Sequence, residues 1–503
     1  KIEALTPIPA FETFSGTADI YIYFIERGIK LLKPGGRLGF ITSGTFARAN
    51  FASAFRVWLP HHARFEKLLN FGENQPFADA EMVYPTISIL IKGTALRTFR
   101  SLFVHGTIPE GLEAAMSERG IDCHDSALEQ REWTFQPTRV LSLAQMLLDR
   151  GHPLSGLKWA RIYRGVLTGL NEAFVIDDQT RALLVNEDPN SARALMKLID
   201  GEDLRPWYHE DRNKWLIFTR RGVRLDDYPS VKAHLEKFRE RLEPRPKDWD
   251  ETDVWQGRKP GAYQWYEIQD SVDYHEVFGC PKVFWPDIAK LPRFSLDEGK
   301  TFGSNTVYIL PLEPGTEWIL AILQSRCSWF SLSQISTPLR LRGGLWQYRC
   351  FRQFVERLPI PHVTDDDRRA LTDLVLRATE IAQERCSLHD VVRNRILIDL
   401  GGQTDVTGLN QRLSAWYTLP PDAFRKEVKN HFKRNVPLKE GTEWEEALMG
   451  WQGSHVRMTE QLIEVEVEVN DRVYRLFGLS APDVRLLEDH MREAHLYYPF
   501  GEV

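Results

Sequence analysis

The first part of the chain alternates between helix-like and strand-like patterns of apolar and polar positions. Apolar residues recur at helical spacing from Asp19 to Leu32, which predicts an amphipathic helix that begins near Asp19. The segment 33–36 (KPGG) ends that helix, because proline and glycine cannot continue it. The apolar run at 37–42 then predicts a short buried strand.

A second helix and two more strands follow. Residues 49–59 fit a helix, and residues 65–71 and 86–92 fit strands on either side of the loop 72–85 (GENQPFADAEMVYP). We expect the three strands to form one sheet, in which the last two are antiparallel and the strand after KPGG lies at an edge. Residues 1–95 are therefore predicted to be α/β in character.

The remaining chain falls into three regions of different composition. Residues 96–150 are mixed and polar, and we interpret them as a connector. Residues 151–362 contain short strand-like runs rich in tryptophan, tyrosine, proline and glycine, which predicts a separate α/β or mostly β domain. Residues 363–503 are charged with helical periodicity, and we predict a helical C-terminal region.

Composition and cysteine usage indicate a globular protein of a reducing compartment. Hydrophobic residues make up 43% of the 503 residues, yet no apolar run approaches the roughly 20 residues of a membrane span. The first residues have no apolar signal-peptide core, so we expect a cytoplasmic protein without membrane contact. The five cysteines are scattered and form no C-x2-C pair, so neither a metal site nor a disulfide framework is predicted.

The net charge of −6 conceals two basic segments. Residues 331–360 carry five arginines against one glutamate, a local balance of +4. Residues 205–224 carry six basic residues against two acidic ones, which also leaves +4. Because charge acts locally, the acidic average does not exclude binding to nucleic acid.

The order of motifs along the chain resembles one family of enzymes. The segment LKPGGRLGFITSGTF (32–46), followed by FRVWL (55–59) and FGENQPFADAEMVYPTISILIKG (71–93), is similar to the amino-type DNA adenine methyltransferases of the TaqI kind. It is especially similar to the methyltransferase half of type IIG restriction–modification enzymes. Further segments resemble, in the same order, the family's DNA-specificity domain and its closing helical signature: 163–177, 198–207, 264–269, 281–288, 355–363 and 469–480.

The resemblance implies an incomplete class I methyltransferase sheet, Rossmann-like in type, in residues 1–95. It implies a target-recognition (DNA-specificity) domain in 151–362 and a helical C-terminal region in 363–503. In the family, the catalytic Asn-Pro-Pro-Tyr motif and the glycine-rich loop that binds S-adenosylmethionine would lie upstream of Lys1, and this sequence contains neither. We therefore expect the C-terminal portion of a methyltransferase, with no catalytic residue of its own and a missing N-terminal segment or subunit.

By this resemblance, the whole enzyme transfers a methyl group from S-adenosylmethionine to N6 of adenine in double-stranded DNA, in restriction–modification or phage defence. This chain is expected mainly to supply DNA recognition and base-flipping contacts. Alone, it is expected neither to catalyse nor to bind S-adenosylmethionine tightly. Two alternatives stay open, namely a non-catalytic DNA-specificity module and part of a combined nuclease–methyltransferase.

Two aromatic residues have roles that the resemblance implies. Phe77, in the loop 72–85, matches the aromatic that stacks on the adenine flipped out of the duplex, although a loop phenylalanine closing the core is the alternative. Phe24, one turn after Tyr21, matches the aromatic that lines the pocket for the cofactor's adenine, and plain helix core is the alternative. Asp19 is expected to be the N-cap of its helix.

Arginines are the best candidates for recognising base edges and for binding phosphates of the DNA. The first group lies around Gly343-Gly344, where missing side chains permit close approach, and consists of Arg340, Arg342, Arg349, Trp346 and Tyr348. The second group consists of Arg161, Arg164, Arg220 and Arg221. For each single arginine, a solvated basic face is the alternative.

Three shorter patterns imitate catalytic motifs, and we reject them. RILIDLGGQTD (395–405) resembles a cofactor loop but lies among helical segments. Asp287, Glu298 and Lys300 fit a loose nuclease pattern that overlaps segments of the DNA-specificity domain. TLPPDAF (418–424) lacks the residues that flank the paired prolines in a methyltransferase motif.

Overall fold

The computed structural model describes most of the chain and shows a mixed α/β protein. The described residues are 11–72, 74, 76–77, 85–94, 98–104, 108–129, 133, 135–249, 254–299, 301–336, 338–401, 408–435 and 441–501. Within these ranges the strands form five sheets. No helix in the same ranges combines the length and the apolar character that a membrane span requires.

The first sheet contains the three strands predicted in residues 1–95. Its strands are β1 (Arg37–Ser43), β2 (Ala63–Asn70), β3 (Pro85–Lys92), β4 (Thr98–Phe103) and β5 (Ile121–His124). Their spatial order is β1-β3-β2-β4-β5, with β3 antiparallel to both of its neighbours and β4 parallel to β2. The predicted edge position of β1 and the antiparallel pairing of β2 with β3 are confirmed.

Helices cover both faces of this sheet. On one face, α1 (Ile20–Leu31) and α2 (Ser53–His62) share a core with side chains of β2 and β3. On the other face, α3 (Leu112–Arg119) packs through Met116 against Leu69 and Leu102. Asp19 occupies the N-cap position of α1 as expected, but its side chain makes no capping hydrogen bond.

The first sheet extends beyond residue 95 into the segment interpreted as a connector. β4 pairs with β2 in parallel, and β5 pairs with β4 in the antiparallel sense. The polar residues Thr98, Arg100 and Ser101 interrupt the apolar pattern of β4, which is why the sequence did not reveal a strand there. The helix α4 (Thr138–Arg150) then leads into the next region.

The middle region, predicted as α/β or mostly β, contains four small sheets and seven short helices in the described residues. Its strands are β6 (Gly151–Pro153), β7 (Tyr163–Arg164), β8 (Val175–Asp177), β9 (Leu195–Ile199), β10 (Lys214–Ile217), β11 (Lys282–Pro286), β12 (Ile288–Ala289), β13 (Ser295–Asp297), β14 (Phe302–Gly303), β15 (Val307–Pro311), β16 (Pro338–Arg342), β17 (Leu345–Arg349) and β18 (Pro359–Pro361). Its helices are α5 (Asn171–Phe174), α6 (Asp178–Glu187), α7 (Pro229–Glu236), α8 (Arg239–Leu242), α9 (Ile319–Gln324), α10 (Arg326–Ile335) and α11 (Arg352–Val355). The sheet orders are β14-β9-β10-β8, β13-β11-β15-β7, β12-β17-β16 and β18-β6.

The C-terminal region is helical, as the sequence predicted. Its helices are α12 (Asp365–Arg395), α13 (Gln411–Ser414), α14 (Pro421–Phe432), α15 (Gly441–Leu476) and α16 (Ala481–Glu493). A reciprocal capping box between Thr364 and Asp367 starts α12. A π-helical segment, Ile396–Leu400, continues α12, so the described part of RILIDLGGQTD is helical and not a strand followed by a loop.

One large core joins the middle region to the C-terminal helices. It contains apolar side chains of α4, of β11 and β15, and of the long helices α12, α15 and α16. Every residue of α10 is buried in this part of the molecule. The helical region therefore stabilises the middle region by packing on it.

Arg48 connects the first sheet to the middle region. Its guanidinium donates hydrogen bonds to the main-chain carbonyls of Ser333 (2.9 Å) and Ser336 (2.5 Å), at the C-terminal end of α10. A charged donor satisfies carbonyls that a helix end leaves without intrahelical partners. This contact holds the β16–β17 hairpin, which follows α10, beside the first sheet.

Candidate nucleic-acid interface

The β16–β17 hairpin presents Arg342 at its tip. Arg342 pairs with Leu345 across a two-residue turn formed by Gly343 and Gly344, whose φ angles are 60° and 78°. Two positive φ angles in succession suit a tight hairpin turn, and glycine adopts them without steric cost. The Arg342 side chain is exposed and has no hydrogen-bond or ion-pair partner among the described residues.

The other two arginines of the first group differ from Arg342. Arg349 is half-buried at the end of β17, and its guanidinium lies 5.2 Å from the ring centre of Phe351. Arg340 lies within β16, but its side chain falls outside the described part of the structure. The DNA-binding role of all three stays a prediction.

Trp346 and Tyr348 lie on the inner face of the hairpin. The Trp346 ring meets Phe103 of the first sheet edge-to-face at 5.9 Å, and the Tyr348 ring meets Trp329 of α10 in the same manner at 5.9 Å. Each side chain is only 6% exposed, and burial raises the pKa of Tyr348 to about 12. Both rings therefore hold the hairpin in place, and in this structure Trp346 does not present its indole at the surface.

Main-chain contacts place two aspartates near arginines of different predicted segments. The N–H of Cys350, next to Arg349, donates to the main-chain oxygen of Asp287 at 2.7 Å, and the N–H of Leu167 donates to the Asp270 carboxyl at 3.2 Å. The Asp287 carboxyl interacts electrostatically with both Arg164 and Arg349, and the Asp270 carboxyl interacts with both Arg164 and Arg221. Partial burial raises the pKa of each of these aspartates, and the arginine charges act in the opposite direction. These residues come from segments that are far apart in sequence, and we call them the arginine row: Arg349, Asp287, Arg164, Asp270 and Arg221.

Within the second group, Arg161, Arg164 and Arg220 are exposed. Arg164 donates from Nε to the main-chain oxygen of Asn305 at 2.8 Å, and Arg161 and Arg220 have no partner among the described residues. An exposed guanidinium keeps most of its five donors available for phosphate or base edges.

Arg221 is engaged within the protein. It donates to the main-chain carbonyls of Ile268 (2.5 Å) and Gln269 (2.7 Å), and it lies 3.8 Å from Glu267 and 5.2 Å from the ring centre of Tyr263. These contacts use the donors that a DNA contact would need. In this structure Arg221 stabilises the loop at 267–269 through these contacts.

Phe77 and Phe24 are both exposed aromatic residues. Phe77 is 48% exposed, and much of the loop around it lies outside the described residues. Phe24 is 59% exposed on the outer side of α1, so it is not part of the helix core. Its neighbour Tyr21 is half-buried on the inner side, where its hydroxyl lies 3.1 Å from Thr45 Oγ1.

The expected position of the catalytic motif stays a prediction. The family resemblance places Asn-Pro-Pro-Tyr upstream of Lys1, and Lys1 itself lies outside the described residues, which begin at residue 11. The described segment that is closest in sequence to the expected motif is residues 11–19, which precede α1. Its Thr13 donates from the hydroxyl to Glu26 of α1 at 2.6 Å, which ties the segment to the helix.

The structure does not support the nuclease pattern that the sequence analysis rejected. Asp287 belongs to the arginine row, and Lys300 lies outside the described residues. Within the described part of the chain, no group of three or more histidine, cysteine or acidic side chains is arranged to hold a metal ion. Sequence reasoning did not single out Asp270, because only the fold brings it next to Arg164 and Arg221.

Comparisons with known proteins point to one group of enzymes. The family model for the Eco57I restriction-modification methylase matches residues 9–77, and a model for a domain of unknown function, DUF8810, matches residues 364–473. The type II methyltransferase M.BstVI of Geobacillus stearothermophilus is 22% identical over 386 residues, which cover 72% of this chain and 65% of that protein. The chain is a relative of type II restriction–modification methyltransferases.

A second relative is also a type II methyltransferase. M.XhoI of Xanthomonas vasicola is 23% identical over 373 residues, which cover 70% of this chain and 64% of that protein. This chain thus matches less than two thirds of the length of these two methyltransferases. Among solved structures, the type IIL restriction-modification enzyme MmeI in complex with DNA aligns over 86% of this chain and 51% of its own, with 12% identity and a TM-score of 0.44.

Proposed function

We propose that this chain is the C-terminal portion of an S-adenosylmethionine-dependent DNA adenine N6-methyltransferase of a cytoplasmic restriction–modification system. Its main role is to recognise double-stranded DNA and to contact the flipped base. The observation that carries the proposal is the exposure of Arg164 and of Arg342, which lies at the tip of the β16–β17 hairpin. The same hairpin ends at Arg349, whose neighbour Cys350 donates from its N–H to the main-chain oxygen of Asp287. Exposed arginines on one surface provide both the phosphate contacts and the base-edge donors that duplex DNA requires.

The order of the first sheet supports the methyltransferase assignment. The antiparallel strand β3 lies between two strands that run parallel to each other, as the family resemblance implies for the last strands of a class I methyltransferase sheet. The outer edge of β1 pairs with no other strand among the described residues. An open edge is a template for further pairing, so a strand from an N-terminal segment or subunit would fit there.

S-adenosylmethionine would supply the methyl group in the whole enzyme. This chain offers one wall of its site, because Phe24 presents an exposed ring on α1 that suits stacking on the cofactor's adenine. The described residues offer no glycine-rich loop for the rest of the cofactor. We therefore propose that tight cofactor binding and catalysis need the N-terminal segment.

Phe77 would stack on the target adenine. Its exposure leaves the ring face available, and chemistry on a base requires that the base leave the duplex and be held on a flat surface. Residues 1–95 would hold the base, residues 151–362 would read the sequence, and residues 363–503 would support the reader from behind.

DNA binding by the chain tests the proposed role directly. Fluorescence anisotropy with a set of duplexes over a salt series should detect binding whose log K falls linearly with log salt, with a slope near −0.9 for each phosphate neutralised. Arg342→Ala and Arg164→Ala should weaken binding, whereas Arg193→Ala, at an exposed arginine of the 3-10 segment Pro189–Ala194, should not. Binding of every duplex at parental strength by Arg342→Ala, Arg164→Ala and Arg340→Ala would show that this surface is not the reader.

Methylation needs its own test. DNA should be incubated with S-adenosylmethionine and the chain, with and without a methyltransferase segment containing Asn-Pro-Pro-Tyr, and its nucleosides analysed by mass spectrometry. We expect N6-methyladenine only when that segment is present, and Phe77→Ala should reduce its yield. A methylated cytosine in place of N6-methyladenine would contradict the assignment.

A further inference from the structure

The C-terminal end of α12 and the N-terminal end of α15 share a small hydrophobic core with α13 and α14. This core is separate from the large core that joins the middle region to the C-terminal helices. α14 contributes Phe424, Val428 and Phe432 to it, and all three side chains are buried. The apolar side of α14 therefore packs inside the protein.

The opposite side of α14 carries a row of cations. Lys426, Lys429 and Lys433 recur at intervals of three and four residues, with Asn430 between them, and Arg434 follows directly. Residues three and four apart lie on the same face of a helix. All five side chains are exposed, and none has a hydrogen-bond or ion-pair partner among the described residues. We call the three lysines and Arg434 the basic stripe.

The carboxylates of α14 are engaged with other cations. Asp422 pairs with Arg425 at 3.8 Å, and Glu427 pairs with Arg412 at 3.2 Å. Arg425 also pairs with Glu445 of α15. The basic stripe thus keeps its full positive charge, because no described acidic side chain forms an ion pair with it.

The backbone of Lys433 is a second observation on the same stripe. Lys433 is the C-cap of α14 and has a left-handed conformation, with a φ of 56° and a ψ of 24°. Glycine is the usual residue in this conformation at a helix end, because a side chain is strained there. Ending the helix would therefore favour glycine, and the lysine indicates a use for its charge. The alternative use is stabilisation of the helix dipole by a cation at its C-terminal end.

The composition of the basic stripe limits the kind of partner. Protein interfaces are depleted in lysine and depend on apolar or aromatic anchors, yet none of the exposed large apolar side chains of the described residues lies on α14. A membrane surface would take up the apolar face of a helix, which α14 buries in its own core. A line of cations without an apolar anchor fits the phosphate backbone of a nucleic acid, because that binding depends on charge neutralisation.

We infer that the basic stripe binds phosphates of duplex DNA without reading the base sequence. Lys426 to Lys433 span about 10.5 Å of helix axis at about 1.5 Å per residue, which is close to the rise of three base pairs at about 3.4 Å each. The inference rests on the proposed function, because the partner is the same DNA. It adds a direct DNA contact to a helical region whose proposed role was only to support the reader.

Removal of three cations from the 503-residue chain tests the inference. Lys426→Gln/Lys429→Gln/Arg434→Gln should bind duplexes of unrelated sequence about tenfold more weakly or worse, by the same factor for each duplex. Its slope of log K against log salt should be less steep by about 2.7, at about 0.9 for each phosphate contact. The matched control lowers the net charge equally at exposed arginines of α12, α15 and α16, and it should bind like the parent: Arg377→Gln/Arg457→Gln/Arg485→Gln.

Lys433→Gly separates a DNA contact from a role in ending the helix. Glycine suits the left-handed conformation, so the melting temperature should equal or exceed that of the parent, while the salt slope should become less steep by about one unit. A role confined to the helix dipole predicts the opposite result, a lower melting temperature with unchanged DNA binding. Parental affinity and salt slope in both Lys433→Gly and the triple variant would overturn the inference.

Three further outcomes distinguish this inference from the proposed function. If the triple variant loses binding to an RNA hairpin but binds duplex DNA like the parent, the basic stripe is an RNA site and the inference is wrong. If Arg342→Ala and Arg164→Ala weaken DNA binding and the triple variant does not, the proposed function stands and the inference fails. If the parent binds none of the duplexes, both fail together.

Discussion

The indole N–H of Trp207 donates a 2.7 Å hydrogen bond to Oε1 of Glu466. Trp207 belongs to the middle region and Glu466 to α15, and both side chains are buried. The other carboxylate oxygen accepts from the backbone N–H of Gly501 at 2.6 Å. Burial raises the pKa of Glu466, yet the two donors satisfy both of its oxygens. One side chain thus connects three distant parts of the chain.

Replacing Glu466 should therefore destabilise the whole molecule. Glu466→Ala leaves the N–H groups of Trp207 and Gly501 buried without acceptors, and each costs about 1–3 kcal/mol of unfolding free energy. Glu464→Ala, at an exposed position of the same helix, is the matched control and should change little. Urea denaturation followed by tryptophan fluorescence measures both, and equal midpoints for the two variants would refute the structural role of Glu466.

Arg220 and Arg221 are neighbours in sequence but should respond differently to substitution. Arg221→Ala removes donors from the carbonyls of Ile268 and Gln269, so we expect a lower melting temperature. Arg220→Ala should leave the melting temperature unchanged, because the side chain is exposed and unpartnered in the described structure. If Arg220 contacts a DNA phosphate, its loss should reduce the salt slope of DNA binding by about one unit. Calorimetry measures the melting temperature, and salt-dependent anisotropy measures the salt slope of DNA binding. An Arg221→Ala protein with the parental melting temperature would contradict the structural role of Arg221.

The contrast between these arginines shows how far the sequence alone could lead. Charge counting identified the basic segment that contains both residues, but it could not tell which guanidinium the protein uses internally. That distinction depends on the loop at 267–269, which only the fold brings next to Arg221. Asp270, on which the arginine row depends, carries no local signal for the same reason.

In the hairpin and the first sheet, by contrast, the sequence pattern carries most of the information about the structure. Side chains alternate between the two faces along β17, so Trp346 and Tyr348 lie on the same face. Strand periodicity could therefore have predicted that both are buried. The apolar runs of β1, β2 and β3 were strong enough to predict their pairing. The interrupted pattern of β4 was not, because three polar residues in six weaken the strand signal.

The hairpin turn itself should be sensitive to the loss of glycine. Gly344 has a φ of 78°, and a methyl group added to it would point into open space, so Gly344→Ala meets a conformational penalty of about 1–2 kcal/mol and not a steric clash. Gly450→Ala, at an exposed position of α15, also meets open space and should instead stabilise by about 1 kcal/mol. Thermal denaturation compares the two, and DNA binding should weaken only in Gly344→Ala because the turn positions Arg342. A Gly344→Ala protein as stable as the parent would argue against the turn described for this hairpin.

Two histidines should make the protein sensitive to acid. Nε2 of His389, on α12, lies 3.0 Å from Nδ1 of His455, on α15, and Tyr417 stacks on both rings. Burial is the main cause that lowers the pKa of His389 to about 3 and of His455 to about 4, and the nearby Arg385 charge lowers both further. The neutral rings are therefore the forms that the fold accommodates.

The sign of the pH effect follows from these lowered pKa values. The histidines stabilise the folded state fully above their ordinary pKa of 6.5, and this stability is lost as the pH falls toward 4, because only the unfolded chain takes up the protons. For the buried His389 alone, the unfolding free energy should fall by about 2 kcal/mol between pH 7 and pH 5. His389→Gln should show a weaker pH dependence by about that amount, and His61→Gln, at an exposed histidine, should retain the parental dependence. Urea denaturation at pH 7, 6 and 5 gives the unfolding free energy of the parent and of both variants as a function of pH. The same pH dependence in the parent and in His389→Gln would show that His389 is not the acid-sensitive group.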